Sequence, residues 1–295
     1  NHSFAGLCRT SSAAGRRLDQ PPRTAHPECY HPRGGFFSAE DADSEGVEGA
    51  FYVWTPAQVR EELTVEEAEL VETTYGVTAR GNFEGANILH LPGGRLDEGG
   101  AAATATARAK LLQARERRMP PARDEKVLAG WNGLTLAALA EAASALGSER
   151  LREVATHTGR FIAEELLRDG ERLAHSWKDG RAAGNGFLDD YACVAEGLLA
   201  LYQADHDPGW FRAARQLAEQ MLAHFKDPAG GFFDTSDDHE TLLYRPKDLQ
   251  DNATPSGNSM ACDALLRMAA LTGRSEFRQK AEGMLEMVAE QAVRY

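Results

Sequence analysis

The stretch Asn132–Leu146, NGLTLAALAEAASAL, is apolar on nearly every face of a helix, and this property decides the fold. A helix without a polar side is one that neighbouring elements bury all round. The next segment, residues 149–168, has a one-sided apolar stripe with charged residues opposite, which is typical of a helix at the surface. A buried helix is therefore expected to pair with a surface helix.

The same two patterns recur twice further along the chain. Residues 189–204 and 257–272 are mostly apolar, and one-sided helices are predicted after them at 208–225 and 275–293. All apolar faces are buried if the first kind of helix forms an inner layer with neighbours on all sides and the second kind forms an outer layer with one face in water. The sequence therefore predicts an all-α fold, a double-layered array whose connecting loops gather around a cavity.

The composition excludes several classes of function. The 295 residues carry 32 Lys and Arg against 45 Asp and Glu, a formal net charge of −13 that repels nucleic-acid phosphates and anionic lipid. Since no window holds 18 uninterrupted apolar residues, no membrane-spanning segment is predicted. The sequence also lacks the phosphate-loop, dinucleotide-binding and serine-hydrolase motifs, so no cofactor is expected.

The cysteines point away from disulfide and metal chemistry. Four cysteines are scattered along the chain, and no two of them form a C-x-x-C pair. This spacing favours neither a disulfide framework nor a zinc or dithiol redox site, so no metal is expected. Because no signal peptide is recognisable, the predicted location is the reducing cytoplasm.

The N-terminal third differs from the helical repeats. Residues 1–33 are rich in Ser, Arg and Pro, and they are predicted to be a poorly structured leader before a domain of residues 34–295. Two capping boxes, T-x-x-Q at residues 55–58 and T-x-x-E at residues 64–67, predict two helix starts. Local patterns predict three further elements, namely strands at 51–54 and 88–91 and a helix at 101–118.

Polar and aromatic residues concentrate in the connections that lead from an outer helix to the next inner helix. A polyol ligand needs aromatic faces for its C–H surfaces and polar groups for its hydroxyls, so these residues predict a site for a small-molecule sugar. The candidate binding residues of the whole chain are Trp54, Trp131, Asn132, Trp177, Tyr191, Arg245, Asp251, Asn252 and Asn258. The candidate catalytic residues are Glu40, Asp43, His175, Asp189, Asp190 and His239.

Many of these candidates also have a structural interpretation, and the sequence leaves the choice open. Three of them stand where helix N-caps are expected, namely Asn132, Asp189 and Asn258. The other structural interpretations are gap filling between helices by Trp131 and Trp177, a hydrogen-bonded loop histidine at His175, and an ion pair from Arg245 to Asp248 or Asp251.

Two glycine-rich loops share their first four residues. The loop GGFFSAEDADSEG, residues 34–46, imitates the start of an EF-hand, but Tyr52 stands where the bidentate acid belongs, so an EF-hand is rejected. A weak cation site, a sugar-binding loop and a solvated turn remain open for this segment. The loop GGFFDTSDDH, residues 230–239, predicts a structurally equivalent connection at the same end of the array.

Several longer motifs carry a resemblance to a known family. Besides residues 34–46, these are FYVWT at 51–55, GNFEGANILH at 81–90, KVLAGWNG at 126–133, FLDDYA at 187–192 and DNATPSGNS at 251–259. Over residues 34–295 the chain resembles the YyaL and spermatogenesis-associated protein 20 family, the DUF255 thioredoxin domain-containing proteins. The resemblance implies an (α/α)6 toroid with short β-hairpins in its loops, similar to N-acylglucosamine 2-epimerases and six-hairpin glycosidases. It also implies a thioredoxin-like domain in the full-length protein, which this chain lacks, and a toroid that is partial because the chain stops before the expected last hairpins.

Three functions are compatible with these observations. The first is a sugar epimerase or isomerase, in which His175 and His239 remove and return a proton beside a carbonyl group. The second is a glycosidase that uses two carboxylates from among Glu40, Asp43, Asp189 and Asp190. The third is a non-catalytic ligand-binding or scaffolding module that works with the thioredoxin-like domain.

Overall fold

The computed structural model describes residues 29–168, 172–240 and 242–292. The chain divides into two compact units, and the second of them, Glu40–Asp124, is inserted into the first. The first unit comprises the described residues up to Ala39 and those from Glu125 onward. Most of the predicted leader, residues 1–33, lies outside the described residues, and a single domain of residues 34–295 stays a prediction.

The second unit contains short helices and very short strands. Its core is formed by Trp54, Val59, Val71 and Leu111, among others. Both predicted capping boxes are present, because the threonine and the third helical residue satisfy each other's backbone N–H groups in each case. The elements of this part of the chain are β1 (Ala39–Glu40), β2 (Asp43–Ser44), β3 (Val47–Glu48), α1 (Pro56–Glu62), α2 (Val65–Tyr75), α3 (Glu98–Ala103), α4 (Ala105–Glu116) and β4 (Arg123–Asp124).

Three predictions for this unit are wrong. Residues 51–54 and 88–91 are not strands, and only an isolated bridge joins Trp54 to Asn87. The 50–54 segment is held instead by Arg118, which donates to the carbonyls of Phe51 and Val53 at 3.0 and 2.8 Å. The predicted helix at 101–118 is two helices, α3 and α4, which meet at Thr104.

Inner and outer helices alternate along the first unit, as the sequence predicts. The inner helices are α5 (Ala129–Leu146), α7 (Leu188–Asp205) and α9 (Gly257–Thr272). The outer helices are α6 (Glu149–Phe161), α8 (Pro208–His224) and α10 (Ser275–Ala292). Helix α7 packs against both α5 and α9, and every residue from Tyr191 to Leu201 is buried. The described residues thus form three α/α hairpins of a partial (α/α)6 toroid.

The inner helices α5 and α7 approach each other backbone to backbone. A Cβ atom at Gly133 would lie 2.5 Å from the carbonyl oxygen of Cys193, and one at Gly197 would lie 2.5 Å from the carbonyl oxygen of Gly133. Real Cβ atoms do not approach so closely, so both positions need glycine.

The connection between the first two hairpins is a small antiparallel sheet, as the predicted β-hairpins in the loops require. Its strands are β5 (Val127–Leu128), β6 (Leu167–Arg168), β7 (Arg172–Lys178) and β8 (Arg181–Asn185). Strand β7 is central, with Val127 opposite Trp177 and Ala183 opposite Ser176. One boundary differs from the prediction, because α6 ends at Phe161 and a π-helical turn, Ile162–Leu166, leads into β6.

The two GGFF loops have the same backbone hydrogen bonds, which confirms their predicted equivalence. In the first loop the N–H groups of Gly34, Phe37 and Ser38 donate to the carbonyls of His31, Cys29 and Lys126. In the second, those of Gly230, Phe233 and Asp234 donate to Asp227, Phe225 and Pro246. Gly34 and Gly230 also share a positive φ, 112° and 110°, which side chains rarely adopt. The equivalent bonds close residues 39–125 in the first loop and only residues 235–245 in the second. The second unit is therefore inserted into the chain within the first of these two loops.

None of the helices in the described part of the chain is both long and apolar enough to cross a membrane.

Candidate functional site

The sequence pair Asp189–Asp190 lies in the first turn of α7, between the first turns of the two neighbouring inner helices. On one side, a Cβ atom at Gly130 of α5 would lie 3.1 Å from Asp190 Oδ1. On the other side, a Cβ atom at Gly257 of α9 would lie 3.0 Å from the backbone nitrogen of Asp189. The three inner helices therefore begin at one place, and the two acidic residues lie at its centre.

Asp190 is a buried carboxylate that accepts three hydrogen bonds. Its Oδ1 accepts from the N–H of Gly130 at 2.8 Å, and its Oδ2 accepts from the N–H of Phe187 at 2.9 Å. The Oδ2 atom also bonds Nδ1 of His175 at 2.8 Å. Because Asp190 is only 1% exposed, its orientation is fixed, and it fixes the orientation of the His175 ring in turn.

His175 is the accessible member of this pair. Its side chain is 35% exposed and projects from β7 beside the start of α7. The hydrogen bond to Asp190 raises the pKa of His175 above 6.5, and partial burial opposes that shift. An imidazole that is held by a carboxylate and stays accessible to solvent is suited to general acid and base catalysis.

Asp189 is the second titratable group that solvent can reach here. Asp189 is exposed, yet desolvation by the surrounding protein and, secondly, the charge of Asp190 raise its pKa to about 6. Neighbouring carboxyl groups in unequal environments are typical of catalytic sites, although ion-pair networks can produce them too.

Phe187 connects the two histidines that the sequence singles out. The centre of the His175 ring lies 5.0 Å from that of the Phe187 ring, and the centre of the His239 ring lies 5.2 Å from it, with the two planes at 31°. Neither ring nitrogen of His239 reaches solvent, and neither has a hydrogen-bond partner among the described residues. A buried polar atom without a partner is unfavourable, so both nitrogens of this imidazole have unsatisfied hydrogen-bonding capacity.

Asn132 and Asn258 have a structural role that the sequence does not predict. They are not N-caps, since the cap positions of α5 and α9 are Leu128 and Ser256. Each amide instead bonds both backbone groups of a GGFF phenylalanine. The N–H of Phe36 donates to Asn132 at 2.7 Å, and that of Phe232 donates to Asn258 at 2.9 Å. Asp189 is not an N-cap either, because α7 is capped at Phe187.

Several other candidate residues support the scaffold of the first unit. Trp177 is buried and donates to Glu165 Oε2 at 2.8 Å, and the buried hydroxyl of Tyr191 accepts from the N–H of Leu173 at 3.0 Å. Arg245 donates to backbone carbonyls, including that of His224 at 3.1 Å, and does not form the predicted ion pair with Asp248 or Asp251 among the described salt bridges. Its guanidinium lies 4.3 Å from the ring centre of Phe233.

The remaining candidates of the first unit lie near the helix starts. Asp251 accepts from the N–H of Ser256 at 2.8 Å, and this bond lowers the pKa of Asp251. Asn252 is exposed, with its backbone N–H on the carbonyl of Thr254. Trp131 is half-buried in the first turn of α5, next to Gly130.

Three candidates belong to the second unit. Glu40 accepts from the hydroxyl of Tyr52 at 2.8 Å, and Asp43 is exposed on β2. Trp54 is buried, with the guanidinium of Arg118 at 4.0 Å from its ring centre. These contacts give Trp54 a structural role in the core of its unit.

A further cluster combines His224, Asp237 and Asp238, whose ligand atoms lie within 4.8 Å of one another. His224 Nδ1 bonds Asp237 at 2.7 Å, and Asp238 is paired with Arg172. Because the acids already have cationic or hydrogen-bonding partners, the cluster is explained as an ion-pair network that fastens the loop to the end of α8.

Replacing Asp189 with Asn is expected to stabilise the protein at neutral pH. The folded-state pKa of about 6 exceeds the usual 3.8, so the folded state holds the proton more tightly and loses stability as the pH rises through this interval. Since Asp189 is exposed and screened, the expected gain at pH 8 is about 1 kcal/mol, falling towards zero near pH 4. Urea denaturation of both proteins at the two pH values measures it, and a variant that is less stable at pH 8 contradicts the prediction.

Three residues that position the candidate catalytic groups are not predicted from the sequence, namely Gly130, Phe187 and Gly257. Gly130 and Gly257 stand inside the quoted motifs, but only their distance to Asp189 and Asp190 reveals why glycine is needed. Phe187 also belongs to a quoted motif. Its ring contacts two histidines that are distant in the sequence, and no local pattern predicts these contacts.

Comparison with known proteins identifies relatives over most of the chain. Spermatogenesis-associated protein 20 of Rattus norvegicus is 34% identical over 305 residues, which cover 88% of this chain and 39% of the rat protein. The protein of the same name from Homo sapiens is 33% identical, with the same coverage of both chains. The chain thus spans 39% of the length of these relatives. No model of a known protein family matches it.

Solved structures with a similar arrangement of helices include sugar isomerases, epimerases and glycosidases. A D-mannose isomerase is 12% identical with a TM-score of 0.48, and the match covers 90% of this chain and 66% of that one. The cellobiose 2-epimerase from Spirochaeta thermophila is 16% identical, with a TM-score of 0.47 and coverage of 55% and 43%. An α-1,6-mannanase of Salegentibacter sp. is 14% identical, with a TM-score of 0.46 and coverage of 88% and 66%.

Proposed function

Because the chain belongs to the spermatogenesis-associated protein 20 family, which it matches over 88% of its length, we propose a function for this shared part. The proposed function is acid and base catalysis on a sugar, of the epimerase or isomerase type. A base removes a proton from the carbon beside the carbonyl group, and an acid returns it. The observation that carries the proposal is the bond between buried Asp190 and accessible His175, beside the exposed acid Asp189.

The chain's own groups can take the roles that this reaction needs. Since Nδ1 of His175 is bound to Asp190, Nε2 is the nitrogen that can accept or donate a proton. His239, on the same phenylalanine ring, has no hydrogen-bond partner for either nitrogen among the described residues, and it would serve as the second acid or base once its ring turns towards the substrate. Asp189 can hold a sugar hydroxyl or take part in the proton transfer, because its pKa of about 6 keeps both forms present near neutrality.

The surroundings of these groups suit a sugar. Phe187 and Trp131 are both half-buried and supply apolar faces, while His175 and Asp189 supply polar groups. We infer that a small-molecule sugar is the ligand. The thioredoxin-like domain of the longer protein and its location in the cytoplasm stay predictions.

The glycosidase alternative has weaker geometric support. Asp189 could serve as the acid, because its pKa is raised to about 6 and its side chain is exposed. The adjacent Asp190 is a poor nucleophile or base, since both of its oxygens accept hydrogen bonds from the protein and it is 1% exposed. The two-carboxylate mechanism needs both groups at the substrate.

The experiment that tests the proposal is hydrogen exchange in deuterated water. The full chain is incubated with a panel of free and phosphorylated aldoses and ketoses, and proton NMR follows the signal of the hydrogen on the carbon beside the carbonyl. The expected result is protein-dependent loss of that signal for at least one sugar, at a rate proportional to protein concentration. Folded protein that binds a sugar without exchange would refute the enzyme and favour the ligand-binding module.

A further inference from the structure

A chain of hydrogen bonds leads from the start of α9 to the start of α7. It begins at Asn258, which is 3% exposed and bonds both backbone groups of Phe232, accepting at 2.9 Å and donating at 3.0 Å. The same amide donates to the carbonyl of Asp248 at 2.9 Å. Asn258 therefore fixes two separate backbone segments against the first turn of α9.

Asp234 continues this chain towards α7. Its side chain accepts from the N–H of Asp248 at 3.1 and 3.0 Å, and its own N–H donates to the carbonyl of Pro246 at 2.8 Å. Its carbonyl accepts from the N–H of Leu188 at 2.9 Å. Leu188 is the first residue of α7, directly between Phe187 and Asp189. A displacement of residues 232–234 would therefore displace the helix start.

The packing of Gly257 couples the same two helices. A Cβ atom at this residue would lie 3.0 Å from the nitrogen of Asp189 and 3.1 Å from Cγ of Leu188. Gly257 immediately precedes Asn258. The residue that packs against Asp189 is therefore adjacent to the residue that hydrogen-bonds the loop of Phe232. The packing of Gly257 and the hydrogen bond between Leu188 and Asp234 thus constrain the same first turn of α7.

We propose that Asn258 is a positioning residue for the acid and base group, acting through Phe232 and Asp234 on the first turn of α7 and on the contact between Asp190 and His175. This inference deepens the proposed function and rests on it for its catalytic meaning. The positioning itself is a property of the folded protein and can be measured without a substrate.

Asn132 is the residue at the first GGFF loop that corresponds to Asn258. It grips Phe36 with the same two hydrogen bonds, at 2.7 and 3.0 Å, and it is equally buried. Its third bond goes to the carbonyl of Leu128 at 2.9 Å, on β5 just before α5. Asn132 also lies two residues after Gly130, whose N–H donates to Asp190 at 2.8 Å, so a change at Asn132 is not expected to leave His175 unaffected.

The experiment compares the variant N258D with the wild type in the full chain. Aspartate keeps the size of asparagine but places a carboxylate oxygen against two carbonyl oxygens. NMR titration of labelled histidine is expected to show the midpoint of His175 lowered by about one unit in N258D relative to the wild type. Wild-type-like titration in folded N258D would overturn the proposal.

A second pair of variants keeps the test decisive if N258D does not fold. Proline is tolerated at the first helical position, so L188P removes the N–H that bonds Asp234, while L188A removes the side chain and keeps the N–H. The lowered His175 midpoint is expected in L188P relative to L188A, and equal midpoints would overturn the proposal. Hydrogen exchange on sugars is a separate readout. If wild type shows none while the predicted shifts occur, the proposed enzyme fails and the positioning role stands.

Discussion

Replacing His175 and His239 together with Ala is expected to lower the rate of hydrogen exchange on the sugar by about 10²–10⁴-fold. The two rings contact Phe187 from different segments, one on β7 and one in the loop after α8. Removing both leaves no imidazole in contact with that ring among the described residues. The measurement is the exchange rate in deuterated water with the sugar that wild type accepts.

The single variants and a control histidine separate catalysis from damage to the fold. His157 is exposed on the outer helix α6, where it bonds the hydroxyl of Tyr30 at 2.8 Å. H157A is expected to exchange at the wild-type rate, and each single variant at the site should lose at least about tenfold. Full activity in the folded double variant would exclude both histidines from the chemistry.

Replacing Gly133 with Ala is expected to destabilise the protein by about 3 kcal/mol or more. The added methyl group would lie 2.5 Å from the carbonyl oxygen of Cys193, in the middle of a buried helix. Because backbone surrounds it, the clash can be relieved only if α5 and α7 move apart. Urea or thermal denaturation measures the loss.

Gly283 provides the control for this substitution. It lies within the outer helix α10, and a Cβ atom there would meet nothing within 4 Å. G283A is therefore expected to stabilise the protein by about 0.5–1 kcal/mol, since alanine is the better helix former. If G133A were as stable as G283A, the close approach of the inner helices would be wrong.

Hydrophobic pattern is sufficient to predict the helical layers because each layer leaves a local trace. The stretch 132–146 is apolar all round and α5 is an inner helix, while the one-sided stripe at 208–225 belongs to the outer helix α8. Helix boundaries are harder to predict where glycine and β-branched residues are mixed. The π-helical turn after Phe161 and the break between two helices at Thr104 lie in such segments, and the pattern does not predict them.

The site is only partly predictable because its geometry depends on contacts between distant segments. His175, Asp189, Asp190 and His239 were candidates by residue type, and the structure brings them around Phe187 and the start of α7. Nothing local distinguishes them from Trp177 or Tyr191, which are buried in the scaffold. Asn132 and Asn258 were expected to cap helices, but the GGFF loops that they hold are brought to them only by the fold.

The most direct test of the central claim is an NMR pH titration of the side chains of Asp189 and His175 in the wild-type chain. We expect Asp189 to titrate near pH 6 and the His175 midpoint to lie above 6.5, falling when Asp190 is replaced by Asn. If Asp189 titrated near 3.8, and His175 at its ordinary value with or without Asp190, the two residues would not form one acid and base group.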